Sequence, residues 1–252
     1  MKCFSVAKYS LSTIKKSMVI FYTIFIIVMT VILFLMKTYL NEEGYSSGTE
    51  ISTFIFMFVT GLVIFKESFY FSQSNNISRK TYFKGIMIAI VPTAAIASGI
   101  DIIINRIYNI FSPCPTIYDM GFGNFIALGM EGIKSTWIQN NDISTLINTF
   151  LFLFTMYIMI FTVGLTIALI YYKCNKLMKT IVSILPVIFI MLISSLTTIF
   201  PEMFNKIGLV IGNMLGVSTR NPYAPIATFI GIAIILSGAI YLLIKKAVIK
   251  ER

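Results

Sequence analysis

Histidine is absent from this 252-residue chain, and charged residues of any kind are scarce. Only 12% of the residues are charged, against roughly 25% in a soluble domain. Without histidine the chain lacks the commonest metal ligand and the side chain that most readily exchanges protons near neutral pH. The three cysteines lie at positions 3, 114 and 174 with no CxxC spacing, which indicates neither a zinc site nor a disulfide framework. The sequence therefore predicts no metal site.

Motifs for nucleotide binding and catalysis are missing as well. The sequence contains no Walker motif, no glycine-rich phosphate loop and no carboxylate pair. The middles of its apolar segments carry almost no ionisable residues, whereas ion-coupled carriers usually place carboxylates there. No polar segment is long enough for a separate catalytic domain. We therefore expect no catalytic residue and no cofactor bound by this chain, and an intramembrane enzyme or an ion-coupled carrier is disfavoured.

Apolar segments, in contrast, are abundant, since 57% of the residues are hydrophobic. Six of them reach the roughly 20 residues needed to cross about 30 Å of hydrocarbon, the second only if it continues past Lys66 and Glu67. They are Met18–Met36, Ile51–Phe65, Tyr82–Ile100, Ile143–Tyr172, Thr180–Phe200 and Ala224–Ile244. The sequence predicts an all-α polytopic membrane protein whose residues 1–252 form a single transmembrane domain with six spans.

Basic residues are distributed unevenly between the two sides that six spans define. Residues 2–16, 66–84, 173–179 and 245–252 hold fifteen of the twenty Lys and Arg residues, whereas eight of the ten acidic residues lie in the other connections. The positive-inside rule places the four basic segments and both termini in the cytoplasm. The net charge of +10 then reflects topology and attraction to anionic lipids in the cell membrane, and no nucleic acid is expected as a partner.

The segment before the first span has its own pattern. Apolar residues recur every three or four positions over residues 1–16, and lysines occupy other positions. This pattern is typical of an amphipathic helix that lies on the inner membrane surface. At the other side of the membrane, Asp101 and Arg106 fall at the end of the third span, where we expect them to anchor the helix at the interface.

Two predicted extracellular segments are longer than a turn, 112–142 and 201–223. In the first, apolar residues from Phe125 to Trp137 fall near helical spacing and indicate a short amphipathic interfacial helix. In the second, about eleven apolar residues are too few to span the membrane and indicate a re-entrant or interfacial helix. Its small residues recur every four positions, a pattern that favours close helix packing, or alternatively an outer gate or dimer contact. They are Gly208, Gly212 and Gly216.

A polar stretch, SNNISRKTYF at residues 74–83, separates the second and third spans. It is either a solvated loop whose basic residues follow the topology, or a short helix that protrudes into the cytoplasm. The second interpretation uses Ser74, Asn75 and Asn76 as helix caps. In this interpretation Arg79 and Lys80 lie away from the apolar side of the helix, so a cytosolic partner could contact them.

The stretch SNNISRKTYFKG resembles the first cytoplasmic loop of small permease subunits of type-2 ATP-binding-cassette (ABC) exporters. In that family the loop forms a coupling helix that docks on a separate ATPase subunit. The resemblance assigns ATPase coupling to Asn75, Asn76, Ile77, Ser78, Arg79, Lys80, Thr81, Tyr82 and Phe83. The six-span layout is most similar to peptide exporters of the phenol-soluble modulin or lantibiotic-immunity type, although the long 112–142 segment departs from the simplest members.

The resemblance further implies a complex of two permease chains, identical or homologous, with two cytosolic ABC ATPase subunits that bind ATP and magnesium. The expected cargo is an amphipathic peptide or a lipid-like molecule. The second and fifth spans would flank its path, although ordinary helix packing accounts for the same residues. Candidate path residues are Thr53, Met57, Thr60, Ser183, Ser194 and Thr197. The alternative function is a stand-alone membrane immunity or binding protein with no ATPase partner.

Overall fold

The structure, a computed structural model, describes residues 2–35, 37–38, 47–123 and 139–247, and over these residues it contains helices and connecting turns but no strand. Six of its helices (α1, α2, α3, α5, α6 and α8) are long and apolar enough to cross a membrane. The elements are α1 (Lys2–Leu35), α2 (Glu50–Ser74), α3 (Arg79–Tyr108), α4 (Ile117–Phe122), α5 (Ile143–Lys173), α6 (Lys176–Ile199), α7 (Pro201–Met214) and α8 (Tyr223–Lys245). The predicted all-α class with six helices of spanning length is confirmed.

The predicted interfacial helix at residues 1–16 is not a separate element. Helix α1 runs without a break over 34 residues, about 51 Å at 1.5 Å per residue. Its first turns pack on α3: a Cβ atom on Gly85 would lie 2.7 Å from the Cβ of Val6. Part of the apolar face in this segment is thus covered by a neighbouring helix of the same chain, and the location of residues 1–16 at the membrane surface stays a prediction.

The helix bundle has two chemically different ends. Helices α1, α3 and α6 begin at the end where α2, α5 and α8 finish, as the hydrogen bond between Arg79 and Lys245 illustrates. We call this the basic end, and the opposite end, with Glu50, Asp101 and Asp119, the acidic end. The second apolar segment does continue past Lys66, since α2 reaches Ser74. The cytoplasmic location of the basic end stays a prediction.

Helix α5 lies at the centre of the bundle, packed against α2, α3 and α8. Its closest approach is to α2, where two glycines face each other. A Cβ on Gly164 would lie 3.3 Å from the Cα of Gly61, and a Cβ on Gly61 would lie 3.0 Å from the backbone nitrogen of Leu165. Small residues permit this approach of two helix backbones. No periodic pattern of small residues marks this contact in the sequence, because each helix contributes a single glycine.

Helices α6 and α7 lie outside this packed bundle. No described side chain of either helix is buried. A Cβ on Gly208 would meet nothing within 4 Å, and one on Gly212 would meet only the Ser218 hydroxyl. Gly216 follows the end of α7 with a φ of +66°, a left-handed conformation that glycine adopts most easily. Within this chain the three glycines therefore do not form the predicted packing seam.

The connections at the acidic end are described in part. Helix α4 begins with a capping box, in which Thr116 and Asp119 satisfy each other's backbone N–H groups. The predicted amphipathic helix from Phe125 to Trp137 lies outside the described residues. A helix of 14 residues, α7, does occupy the apolar stretch after residue 200, and its re-entrant or interfacial position stays a prediction.

Candidate functional site

The polar stretch at the basic end forms a tight hairpin between α2 and α3. Helix α2 is capped by Asn75, and Asn76 takes a φ of +51° that reverses the chain. Ser78 is the N-cap of α3, and its hydroxyl accepts a hydrogen bond from the Thr81 backbone nitrogen at 3.2 Å. The predicted short helix was therefore wrong: only residues 75–78 separate the two long helices, too few for an independent helix.

The nine residues assigned to ATPase coupling divide into a surface and an anchor. Five of the nine side chains are exposed at the tip, namely Asn75, Asn76, Ser78, Arg79 and Lys80, as is the preceding Ser74. Thr81 and Phe83 are half-buried, and Ile77 and Tyr82 are buried. The Tyr82 hydroxyl lies 2.9 Å from the Ser68 hydroxyl inside the bundle. A docking partner therefore meets the exposed tip residues, whereas Ile77 and Tyr82 attach the tip to the core.

Arg79 connects the hairpin to the last turn of α8. Its Nη1 atom donates a hydrogen bond of 2.8 Å to the carbonyl oxygen of Lys245. The C-terminal carbonyls of a helix carry partial negative charge, so a guanidinium there is favourable. One turn further along α3, the rings of Phe83 and Tyr241 meet edge to face with centroids 5.3 Å apart. Arg79 thus has a structural role, which Lys80 does not share.

Helix α1 supports the same hairpin from the other side. The rings of Tyr9 and Phe71 stack with centroids 3.9 Å apart, and Phe71 lies in the last turn of α2. The side-chain amide of Gln73 donates to the carbonyl oxygen of Ile77 at 3.2 Å. Contacts from α1, α8 and the hairpin itself therefore hold the tip rigidly on the bundle.

The structure does not assemble the predicted path residues into one surface. Thr53 and Met57 are fully buried in the packed core. Thr60 is half-buried, and its hydroxyl donates to the Phe56 carbonyl of its own helix at 2.7 Å. The remaining three, Ser183, Ser194 and Thr197, are exposed on α6. In a single chain, the three α2 residues and the three α6 residues therefore do not share one surface that could line a path.

Asp101 is the polar centre of the bundle near its acidic end, and the expectation that it anchors the interface was wrong. It is only 5% exposed. Its carboxylate accepts hydrogen bonds from the hydroxyls of Tyr22 at 2.9 Å and Thr53 at 3.0 Å, and a third from Tyr157. These donors lie on α1, α2 and α5, so four helices meet at one carboxylate. The buried face of α3 includes positions 94, 97, 101, 105 and 108, a helical spacing that could have revealed this location from the sequence.

Two more buried charges lie near the same end. Glu50, the first residue of α2, is 2% exposed, and neither carboxylate oxygen has a hydrogen-bond partner among the described residues. The guanidinium nitrogens of Arg106 are likewise buried without a hydrogen-bond partner in that part of the chain, although Asp119 and Glu50 interact with this guanidinium electrostatically. Arg106 as a whole is half-buried, and its role at the interface stays a prediction. Among residues 2–35, 37–38, 47–123 and 139–247, no group of three His, Cys, Asp or Glu side chains could hold a metal ion.

Comparisons with known proteins leave the chain without an identified relative: no family model, no curated protein and no solved structure matches it. The class that the structure defines is therefore a helical protein with six helices long and apolar enough to cross a membrane.

Proposed function

We propose that this chain is the permease subunit of an ATP-driven exporter in the cell membrane, with its basic end in the cytoplasm. A separate ABC ATPase subunit, carrying ATP and magnesium, would dock on the hairpin between α2 and α3. The observation that carries the proposal is the division of this hairpin into an exposed polar tip and buried anchors. The tip presents Asn75, Asn76 and Lys80, and Tyr82 fixes it to the core.

Such a hairpin is suited to transmit movement because its anchors reach several helices. A displacement of the tip acts on α2 through Ser68, on α8 through Arg79 and on α1 through the ring of Phe71. The close approach of α2 and α5 then passes the movement to the centre of the bundle. Rigid packed helices are the means by which local shifts become larger rearrangements in proteins.

The exporter would contain two permease chains and two ATPases. Helix α6, which has no buried residue among its described side chains, is available for contact with the second permease chain. In that arrangement Ser183, Ser194 and Thr197 would line a path between the two chains. An apolar surface with a few hydroxyl groups suits an amphipathic peptide or a lipid-like cargo.

The test compares charge reversal at two exposed lysines of α3. Lys80→Glu changes the tip, and Lys84→Glu changes the next turn of the same helix. We expect Lys80→Glu to lower cargo-stimulated ATP hydrolysis, and the amount of ATPase that purifies with the chain, by about tenfold, a loss of about 1.4 kcal/mol. Lys84→Glu is expected to leave both unchanged.

Two outcomes would overturn the proposal. Equal ATPase recovery and stimulation in both variants would remove the docking role from the tip. Purification of the chain from its native membrane without any nucleotide-binding subunit would instead favour the alternative, a stand-alone membrane immunity or binding protein.

A further inference from the structure

A groove with a charged mouth and an apolar interior opens beside α2, α5 and α6 at the basic end. Its volume is about 640 Å³, within the roughly 300–1,000 Å³ of typical ligand pockets. Two lysines, Lys66 and Lys179, line it together with Tyr171. Phe58, Leu62 and Ile167 form part of its apolar wall. The groove therefore combines two cations with a hydrocarbon surface.

The order of these residues along their helices separates the charges from the apolar wall. Lys179 is the fourth residue of α6, and Lys66 lies eight residues before the end of α2, about 12 Å along the helix axis. Phe58 lies sixteen residues before that end, about 24 Å along the axis. The exposed Lys66 side chain can extend towards the basic end, as lysines near membrane surfaces commonly do. With the basic end at a membrane surface, the charged mouth would lie at headgroup depth and the wall at acyl-chain depth.

A hydrogen bond between side chains holds the α6 wall in place. The hydroxyls of Tyr171 and Ser183 lie 2.6 Å apart, which joins the end of α5 to the beginning of α6. Ser183 also donates to the carbonyl oxygen of Lys179 at 2.9 Å, so Tyr171 is the donor to Ser183. This contact positions the turn of α6 that carries Lys179 next to the groove.

We propose that this groove binds a phospholipid with an anionic headgroup, taken from the membrane leaflet at the basic end. The lipid phosphate contacts Lys66 and Lys179, and one acyl chain lies along the wall that contains Phe58 and Leu62. Charge complementarity selects an anionic lipid, because two ammonium groups flank the mouth and none of the described residues that line the groove is acidic. The site does not depend on the proposed exporter function.

A second groove provides an internal comparison. It lies between α1 and α3, has a volume of about 600 Å³ and is lined by a single lysine, Lys15. Its volume is similar, but it offers only one cation to a headgroup. We expect it to accept membrane lipids with much weaker preference for negative charge.

Native mass spectrometry of the full chain, released from detergent with defined lipids, tests the site. The probes are dioleoyl-phosphatidylglycerol (anionic) and dioleoyl-phosphatidylcholine (zwitterionic), added at equal concentration. We expect the unaltered chain to retain phosphatidylglycerol preferentially. Each of Lys66→Gln and Lys179→Gln should lower that preference about fivefold, from the roughly 1 kcal/mol that one basic residue contributes near an anionic surface. Lys15→Gln is the matched control and should change it little.

Two further measurements separate the parts of the proposal. Ala168→Phe, which narrows the apolar wall, should reduce retention of both lipids while the protein keeps its melting temperature. Inorganic phosphate at the same concentration should not displace bound phosphatidylglycerol, because it has no acyl chain. Displacement by phosphate would overturn the role of the wall. If the double variant Lys66→Gln with Lys179→Gln kept the same preference for phosphatidylglycerol as the unaltered chain, the whole site would be overturned. A dimer that appears in place of lipid adducts would assign the groove to a second copy and also overturn the proposal.

Discussion

Helices α5 and α6 are consecutive in the chain and have equal mean hydropathy, yet they occupy opposite positions in the structure. More than half of the most apolar 18-residue window of α5 is buried, 56%, whereas none of the corresponding window of α6 is. Hydropathy therefore indicates that both helices prefer an apolar environment. It does not indicate which other helices each of them packs against. Lipid chains are as apolar as leucine, so close backbone approach and polar contacts decide helix association in a membrane.

Two features of α5 supply those contacts and α6 lacks both. Gly164 lets α5 approach the backbone of α2, and Tyr157 donates a hydrogen bond to Asp101 on α3. Ser195 and Thr197 of α6 instead donate to carbonyls of their own helix, which satisfies these two hydroxyls without a neighbour. The Ser183 hydroxyl, near the start of α6, is the one that contacts α5, through Tyr171. The contrast between the packed bundle and the α6–α7 region can be tested residue by residue.

The largest effect is expected at the crossing of α2 and α5. Gly61→Leu would force a side chain against the backbone of α5, and overpacking of this kind typically costs 1–3 kcal/mol, so we expect about 3 kcal/mol or more here. Gly208→Leu adds the same side chain where nothing lies within 4 Å and is expected to change little. Melting temperatures in detergent measure both. A melting temperature lowered equally by the two substitutions would contradict the distinction between the regions.

The next effect concerns two of the buried carboxylates, Asp101 and Glu50. Asp101→Ala removes the acceptor of three hydroxyl donors, and leaving buried donors unsatisfied costs about 1–3 kcal/mol each, so we expect a loss of about 3 kcal/mol. Glu50→Gln changes a carboxylate that has no hydrogen-bond partner among the described residues. A buried carboxylate without a hydrogen bond is unfavourable, and the electrostatic interaction with Arg106 offsets part of this cost, so this substitution should change stability by less than about 1 kcal/mol. Denaturation in detergent distinguishes the two results, and a large loss with Glu50→Gln would reveal a partner for that carboxylate.

A smaller effect separates two threonines that the sequence assigned to the same cargo path. Thr53→Val removes the hydroxyl that donates to Asp101 and should cost about 1–2 kcal/mol. Thr197→Val, on the exposed α6 surface, should stay within about 0.5 kcal/mol, as for most surface substitutions. Both valines keep the shape of the side chain, so the difference in the free energy of unfolding measures the hydrogen bond. Similar values for the two variants would mean that α6 is packed in solution.

The smallest expected effect is at the hairpin tip. Arg79→Gln removes the hydrogen bond to the end of α8 and should lower stability by about 0.5–1.5 kcal/mol. Lys80→Gln, its neighbour, should have no measurable effect on stability. Thermal unfolding of the two variants measures this difference, and a loss with Lys80→Gln would show that the tip has a second contact with the bundle.

Prediction from sequence succeeded where one helix alone determines the property. The existence of six spanning helices follows from the length and hydropathy of each segment, and α2 continued past Lys66 as its length required. It failed where a second helix was needed. The apolar face of residues 1–16 predicted a membrane-surface helix, whereas the structure packs part of this face on α3. Gly208 matched a packing pattern, but no described residue lies within 4 Å of a Cβ added there.

The candidate site shows the same division. The stretch 74–83 was recognised as polar and exposed between two spans, which the structure bears out for its tip. The sequence could not distinguish Arg79 from Lys80, because their difference arises from a carbonyl on α8, 166 residues away. The spacing of the buried positions on α3 could have placed Asp101 on the packed face, but the sequence could not identify its three hydrogen-bond donors, since they come from three other helices.

By itself, the sequence determined that the chain forms apolar helices with its basic residues gathered at one end, because hydropathy, helix length and charge are properties of each segment. Only the tertiary structure decided which helices pack and which polar groups are buried. Those outcomes depend on the approach of two backbones and on hydrogen-bond partners from distant segments. It is this long-range pairing that makes α5 the centre of the bundle and leaves α6 on its outside.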